Sequence, residues 1–181
     1  MGNKGGKEIP TITADKIKSL LNLKPHPVEG GYFAETYRSH EYIPKDELPD
    51  TYDSDRLLAT AIYYLLTPDT FSTMHRLPTD EIFHFYLGDP VEMLQLLPDG
   101  SGRAITLGPD ILNGMHLQVT VGKGVWQGSR LLPGGKFALL GTTMSPGFEL
   151  RDFESGQRDV LVDSYPKFRD LITALTTPTA R

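Results

Sequence analysis

Between Leu57 and Ser145 turn residues cut the chain into short segments of strand character, and this rhythm leaves few folds open. "LLATAIYYLL" is a continuous apolar and aromatic run closed by "TPD", the pattern of a strand buried on both faces or set in a sandwich core. "EIFHFYLG", "VEMLQLLP", "GRAITLG", "HLQVTVGKG", "SRLLPG" and "FALLGTTMS" follow, parted by Asp-Pro, Asp-Gly, Gly-Pro, Asn-Gly and Pro-Gly-Gly. Closely spaced short strands of this kind predict an all-β sandwich or barrel. Upstream, "YFAETYRS" alternates like a half-buried strand. Helical spacing is confined to the flanks. "TADKIKSLLNL" sets Ile17, Leu20, Leu21 and Leu23 on one face behind a Thr11 or Thr13 cap. "SYPKFRDLITAL" does the same with Phe168, Leu171, Ile172 and Leu175, and is expected to cover one end of the β structure.

A chain of 181 residues is long enough for one domain with a substantial core and short for two. Gly2 to Gly6 lacks apolar residues, so residues 1–12 are expected to form a mobile tail ahead of a single domain over residues 13–176. Lys and Arg number 18 against 23 Asp and Glu, a formal charge of −5, which offers no electrostatic reason for a nucleic-acid or anionic-membrane partner. There is no Cys, so disulfides, zinc–thiolate clusters and thiol nucleophiles are excluded, and a metal would need His, carboxylate or amide ligands. "MGNKGGKEIP" lacks the apolar core of a signal peptide, and no later run has the length of a membrane span. Gly6 stands where N-myristoylation favours Ser or Thr. A soluble, cytoplasmic protein is expected.

The chemistry-bearing stretch is "STMHRLPTDEIFHFYLGD". Five residues separate His75 from Glu81, and Gly88 lies seven beyond Glu81. This resembles the first motif of the cupin superfamily, His-x-His followed by Glu and, after six intervening residues, Gly. The second His of that pattern falls on Leu77, and the Gly ahead of it near Asp69. In "GKGVWQG", Gly122 stands for the Pro of the second cupin motif and Gln127 for its His. "VEGGYFAETYRS", "IYYLLTPDTFSTMHRLPTDEIFHFYLGDP", "VGKGVWQG" and "SPGFELRDFE" together resemble an uncharacterised branch of small cupins, over about Lys24 to Tyr165. The resemblance implies a jelly-roll (double-stranded β-helix) barrel, commonly a homodimer, with a pocket inside and no agreed activity. Functional relatives by architecture are the nucleotide-sugar epimerases and isomerases, which move protons with a His base and no metal.

Two chemistries fit these residues. In the first, no cofactor is needed: His75 is a base near neutral pH, Glu81 orients it, and Gln127 fixes a small polar ligand such as a sugar or nucleotide. Tyr63 or Tyr64, on the neighbouring core strand, is the candidate proton donor, and Phe83, Phe85 and Trp126 are candidate apolar walls. In the second, a divalent metal sits among His75, Glu81, Gln127 and His84, as in an oxygenase. An amide is a weak ligand for such an ion. Strand parity also sends His84 away from an interior that receives Glu81, Phe83 and Phe85, unless a bulge reverses it. A non-catalytic binding or sensing module is the third alternative.

The remaining blocks carry both structural and functional readings. Gly30 and Gly31 permit a tight turn, and Glu29 beside them caps it or reaches the pocket rim. Arg38 either holds a ligand phosphate or carboxylate or forms an exposed ion pair. "PGFELRDFE" reads as a turn that buries Phe148 and Phe153, with Glu149 and Glu154 in structural hydrogen bonds. Trp126 serves packing as readily as stacking, and a His at a strand edge is ordinarily a hydrogen-bonded structural residue.

Overall fold

The computed structural model of the protein describes residues 12–177; apart from Ile12, the expected tail lies outside the described residues. In chain order the elements are α1 (Ala14–Leu20), β1 (Lys24–Pro25), β2 (Tyr32–Arg38), β3 (Tyr42–Ile43), β4 (Arg56–Leu57), β5 (Thr60–Leu66), β6 (Phe71–Arg76) and β7 (Glu81–Gly88). They continue as β8 (Val91–Leu96), β9 (Gly102–Leu107), β10 (Gln118–Val121), β11 (Trp126–Leu131), β12 (Ala138–Met144), β13 (Glu154–Ser155), α2 (Arg158–Ser164) and α3 (Arg169–Ala174). The strands form a six-stranded sheet in the order β1-β2-β5-β12-β7-β10 and a five-stranded sheet in the order β13-β6-β11-β8-β9, with β3 and β4 as a separate ribbon. This is the all-β jelly roll.

Alternation along the strands builds the interior. Tyr64 and Leu66 of β5, Phe83 and Phe85 of β7, Met93 of β8 and Leu140 of β12 meet between the sheets, each contributing roughly 1.5–3 kcal/mol by leaving water. The outer faces are covered by helices. Thr13 Oγ1 accepts the Lys16 N–H at 3.2 Å to start α1, and Ile17, Leu21 and Leu23 then pack on Leu65, Leu139 and Tyr63. Leu20, expected on the same face, is exposed. At the other end of the chain, Leu161, Ile172 and Leu175 pack on Met74, Leu94 and Leu96. The C-terminal segment therefore covers a sheet face, not an end of the barrel. Its first helix, α2, buries only the adjacent pair Leu161 and Val162, too little for a helical period to show in the sequence.

One irregularity positions the site. Gln127 of β11 lies opposite His75, but Ser129, two residues on, lies opposite Ser72. The extra residue in β6 is a bulge. It lets Ser72 and His75 serve one face although they are three apart, while Met74 between them packs under the helices.

Candidate functional site

A cavity of about 540 Å³ lies at one end of the barrel, walled by His26, Glu29, Phe33, His75, Glu81, Phe148 and Phe153 among others. The Gly pair brings Glu29 there. Gly30 and Gly31 have φ of +96° and +67°, and a Cβ on Gly30 would collide with the Phe71 carbonyl oxygen. Only glycine lets the chain cross so close to β6. The Thr73 N–H then donates to the Glu29 carbonyl at 2.9 Å, and Ser72 Oγ donates to Glu29 Oε1 at 2.5 Å.

The two histidines are held in opposite tautomers. His75, 1% exposed, has Nδ1 2.8 Å from the Thr73 carbonyl. A carbonyl only accepts, so Nδ1 carries the proton and, in the neutral ring, Nε2 is a bare acceptor. Burial pushes the His75 pKa below its ordinary value, against the pull of Glu81, which keeps the ring neutral at pH 7. In His26, Nδ1 accepts the Glu29 N–H at 2.9 Å, so Nε2 carries the proton. Burial lowers this pKa too; Glu29 opposes the shift and His75 adds to it.

The carboxylates shift the other way. Glu81 is 6% exposed and accepts from Gln127 Nε2 at 2.6 Å. Burial first, then repulsion from Glu29, pushes its pKa up to about 7, while His75, Gln127 and Thr142 pull against that rise. Burial likewise raises Glu29, offset in part by His26 and Ser72. Because the folded protein holds the Glu81 proton more tightly than the unfolded chain, stability from this group is present below about pH 4.5 and is lost as pH rises towards 7. Glu81→Gln should therefore gain on the wild type by about 3 kcal/mol between pH 4.5 and 8. Urea unfolding at both pH values measures it, and an equal effect at the two would show that Glu81 ionises normally.

Several sequence-based assignments need correction. His75 is oriented by the Thr73 carbonyl, two residues back on its own strand, rather than by Glu81. Gln127 spends its Nε2 on Glu81. Tyr63 lies outside the barrel under α1; Tyr64 is the inward residue, and its hydroxyl donates to the Gly30 carbonyl at 2.9 Å. Trp126 packs on the outer face against the C-terminal helices, with the Arg76 guanidinium 4.6 Å from its ring centre. Phe83 and Phe85 face inward as parity predicted, but they belong to the solid core below the cavity. Arg38 stands at the cavity mouth with its guanidinium bound to Glu35 at 2.8–3.1 Å. Glu29 does reach the cavity, and Phe153 stacks on His75 at 4.7 Å between ring centres.

Sequence reasoning missed His26 and Ser72. His26 sits between two prolines in a segment that reads only as a helix stop. The usable clue was its place three residues before Glu29, ahead of a Gly pair that demands close backbone approach.

The divalent-ion reading requires His75, Glu81, Gln127 and His84 around one point, and these residues do not fit it. Leu77, an apolar side chain, lines the cavity where a second His would donate. The Gln127 amide nitrogen faces Glu81. His84 is on the outer face, with Gln118 Nε2 3.2 Å from its Nδ1 and Tyr86 stacked alongside. Among the described residues no three His, Asp or Glu side chains stand where they could hold one ion.

Comparison with known proteins agrees with this architecture. A family model described as "Cupin superfamily (DUF985)" matches residues 15–156. An uncharacterized protein of Saccharomyces cerevisiae, YML079W, is 35% identical over 133 residues, covering 68% of this chain and 66%, just under two thirds, of that protein. The crystal structure of protein SO0799 from Shewanella oneidensis superposes with a TM-score of 0.82 and 31% identity over 93% of this chain and all (100%) of that one. A hypothetical protein from Leishmania major gives 0.81 and 32% over 91% and 99%. With the family model spanning the barrel from α1 to β13, the chain belongs to the cupin superfamily, in its DUF985 branch.

Proposed function

We propose that the protein binds a small polar carbonyl compound in this cavity and moves a proton on it by acid/base chemistry, as a sugar epimerase or isomerase does. One observation carries the reading. A neutral His75 with a bare Nε2 and a Glu81 carboxyl with a pKa of about 7 line the same cavity, and groups with pKa values displaced towards neutrality suit proton transfer. His75 Nε2 takes the proton from the carbon beside the carbonyl. The Glu81 carboxyl gives its proton to the carbonyl oxygen, and the carboxylate that results stabilises the imidazolium. Reversal returns the proton from His75 to carbon and the enol proton to Glu81, which is read as exchange of the α-proton with solvent.

The test is incubation of candidate hydroxy-carbonyl compounds with the protein in deuterated solvent, followed by NMR of the α-carbon proton. Exchange above the protein-free rate supports the proposal. A compound that binds without exchanging makes the protein a binding or sensing module. Elemental analysis of the purified protein before and after mild chelation is expected to give transition metal well below one per chain, with exchange unchanged; a stoichiometric metal whose removal stops exchange would overturn the ligand assignment above.

A further inference from the structure

The cavity also carries information on the charge of its ligand, an inference that rests on the acid/base reading only in placing the ligand beside His75. Four carboxylates line it, Glu29, Glu35, Glu81 and Glu149, against one guanidinium, Arg38. That guanidinium is engaged along one edge: Nε and Nη2 both bond Glu35, so its charge is already matched by a carboxylate and only its end-on N–H groups, at the solvent-facing mouth, are left to bind an anion. Glu149 is paired outside the cavity lining with Arg151, at 2.6 Å. Of the two inner carboxylates, Glu29 accepts from Ser72 and has His26 Nε2 4.0 Å away, and Glu81 accepts from Gln127. Among the described residues no Lys or Arg stands beside either, so once ionised each is balanced by nothing more than an imidazole that burial keeps neutral.

A separate observation points the same way. His75 Nε2, on a side chain 1% exposed, lines the cavity and has no donor among the described residues. With the carboxylates ionised, the inner end of the cavity offers more acceptors, Glu29, Glu81 and His75 Nε2, than donors, of which His26 Nε2–H is one. A ligand that fills it has to bring N–H or O–H groups, since each buried acceptor left unmatched costs about 1–3 kcal/mol. The walls above are the rings of Phe33, Phe148 and Phe153, whose faces attract cations.

We infer that the ligand of this cavity carries an ammonium group and no phosphate: an amino-substituted, sugar-sized polar compound and not a nucleotide sugar. An ammonium supplies three donors and one positive charge to Glu29, Glu81 and His75. A phosphate brings a charge of about −1.5 to −2 into a cavity of carboxylates.

Three probes that differ at a single carbon test this: 6-amino-6-deoxy-D-glucose, D-glucose and D-glucose 6-phosphate, each titrated into the full-length protein at pH 7 and low salt by calorimetry. The amino sugar is expected to bind at least about tenfold more tightly than glucose, a difference of about 1.4 kcal/mol, and the phosphate at least about tenfold more weakly. Tetramethylammonium against tert-butanol, followed by NMR of the aromatic resonances, repeats the comparison without dependence on sugar shape. The preference should shrink in Glu29→Gln and Glu81→Gln. In Arg38→Ala, at the solvent-facing mouth, it should be retained, whereas recognition of an anion would be lost. Equal or tighter binding of the phosphate, or no ammonium preference with either probe set, overturns the inference. Deuterium exchange separates this from the acid/base reading: glucose exchanging with no ammonium preference sinks only the charge inference, and ammonium binding with no exchange sinks only the chemistry.

Discussion

His75→Ala is expected to slow exchange of the α-proton of a bound carbonyl compound by about 10²- to 10⁴-fold, the usual contribution of a positioned base. Three features make the effect large. The ring is buried and its tautomer is fixed by the Thr73 carbonyl, so no solvent molecule takes over with the same geometry. Phe153 stacks on it, so its orientation survives without ligand. Burial lowers its pKa, so it is already in the basic form at neutral pH. A merely structural His75 would lower stability and leave the pH profile intact, and this distinguishes the roles. Wild-type exchange should rise with pH as His75 loses its proton, below 6.5, and fall as the Glu81 carboxyl ionises near 7. Glu81→Gln should remove the alkaline limb; His75→Ala should remove the acid limb, with partial rescue by added imidazole. Exchange by His75→Ala within threefold of wild type, at equal ligand occupancy, would end the assignment.

The parts of this site that were legible in the sequence depend on local rules. The two-residue period of a strand placed Glu81, Phe83 and Phe85 together and turned His84 outward, and the structure has them so. The parts that were not legible depend on how elements meet. Both faces of β5 are buried, one in the barrel and one under α1, so periodicity could not choose between Tyr63 and Tyr64. The bulge in β6 puts Ser72 and His75 on one face, an arrangement that strict alternation forbids. Trp126 takes its direction from its partners in β11, where Gln127 faces inward, and its ring then falls against helices more than thirty residues later in the chain. His26 belongs to no strand of the barrel and enters the cavity only because two glycines let its loop lie against β6.

Arg56→Ala should destabilise the protein by about 3–5 kcal/mol, the cost of leaving one member of a buried ion pair without its partner. The Arg56 side chain is 2% exposed and donates through Nη2 to Asp152 Oδ1 at 2.9 Å; the Asp152 side chain is 6% exposed. Nη1 bonds Ser54 Oγ at 2.6 Å, and the guanidinium stands 5.2 Å from the centre of the Tyr52 ring. Burial raises the Asp152 pKa while Arg56 holds it down, so removing Arg56 leaves either a bare carboxylate or one that takes up a proton. Arg56 Nε and Asp152 Oδ2 both lack partners, which makes this pair poorer than its burial suggests. Replacing both residues, as Arg56→Met with Asp152→Leu, should therefore recover most of the loss. Urea midpoints for the two single variants and the double variant give the coupling directly. A single-variant loss below 1 kcal/mol, or a double variant as unstable as the two losses added, would show that the pair is not coupled. The pair also bears on the cavity: Asp152 immediately precedes Phe153, the ring that stacks on His75. Arg56→Ala should consequently weaken ligand binding and slow exchange from a distance, whereas the apolar double variant, which keeps the segment packed, should restore both.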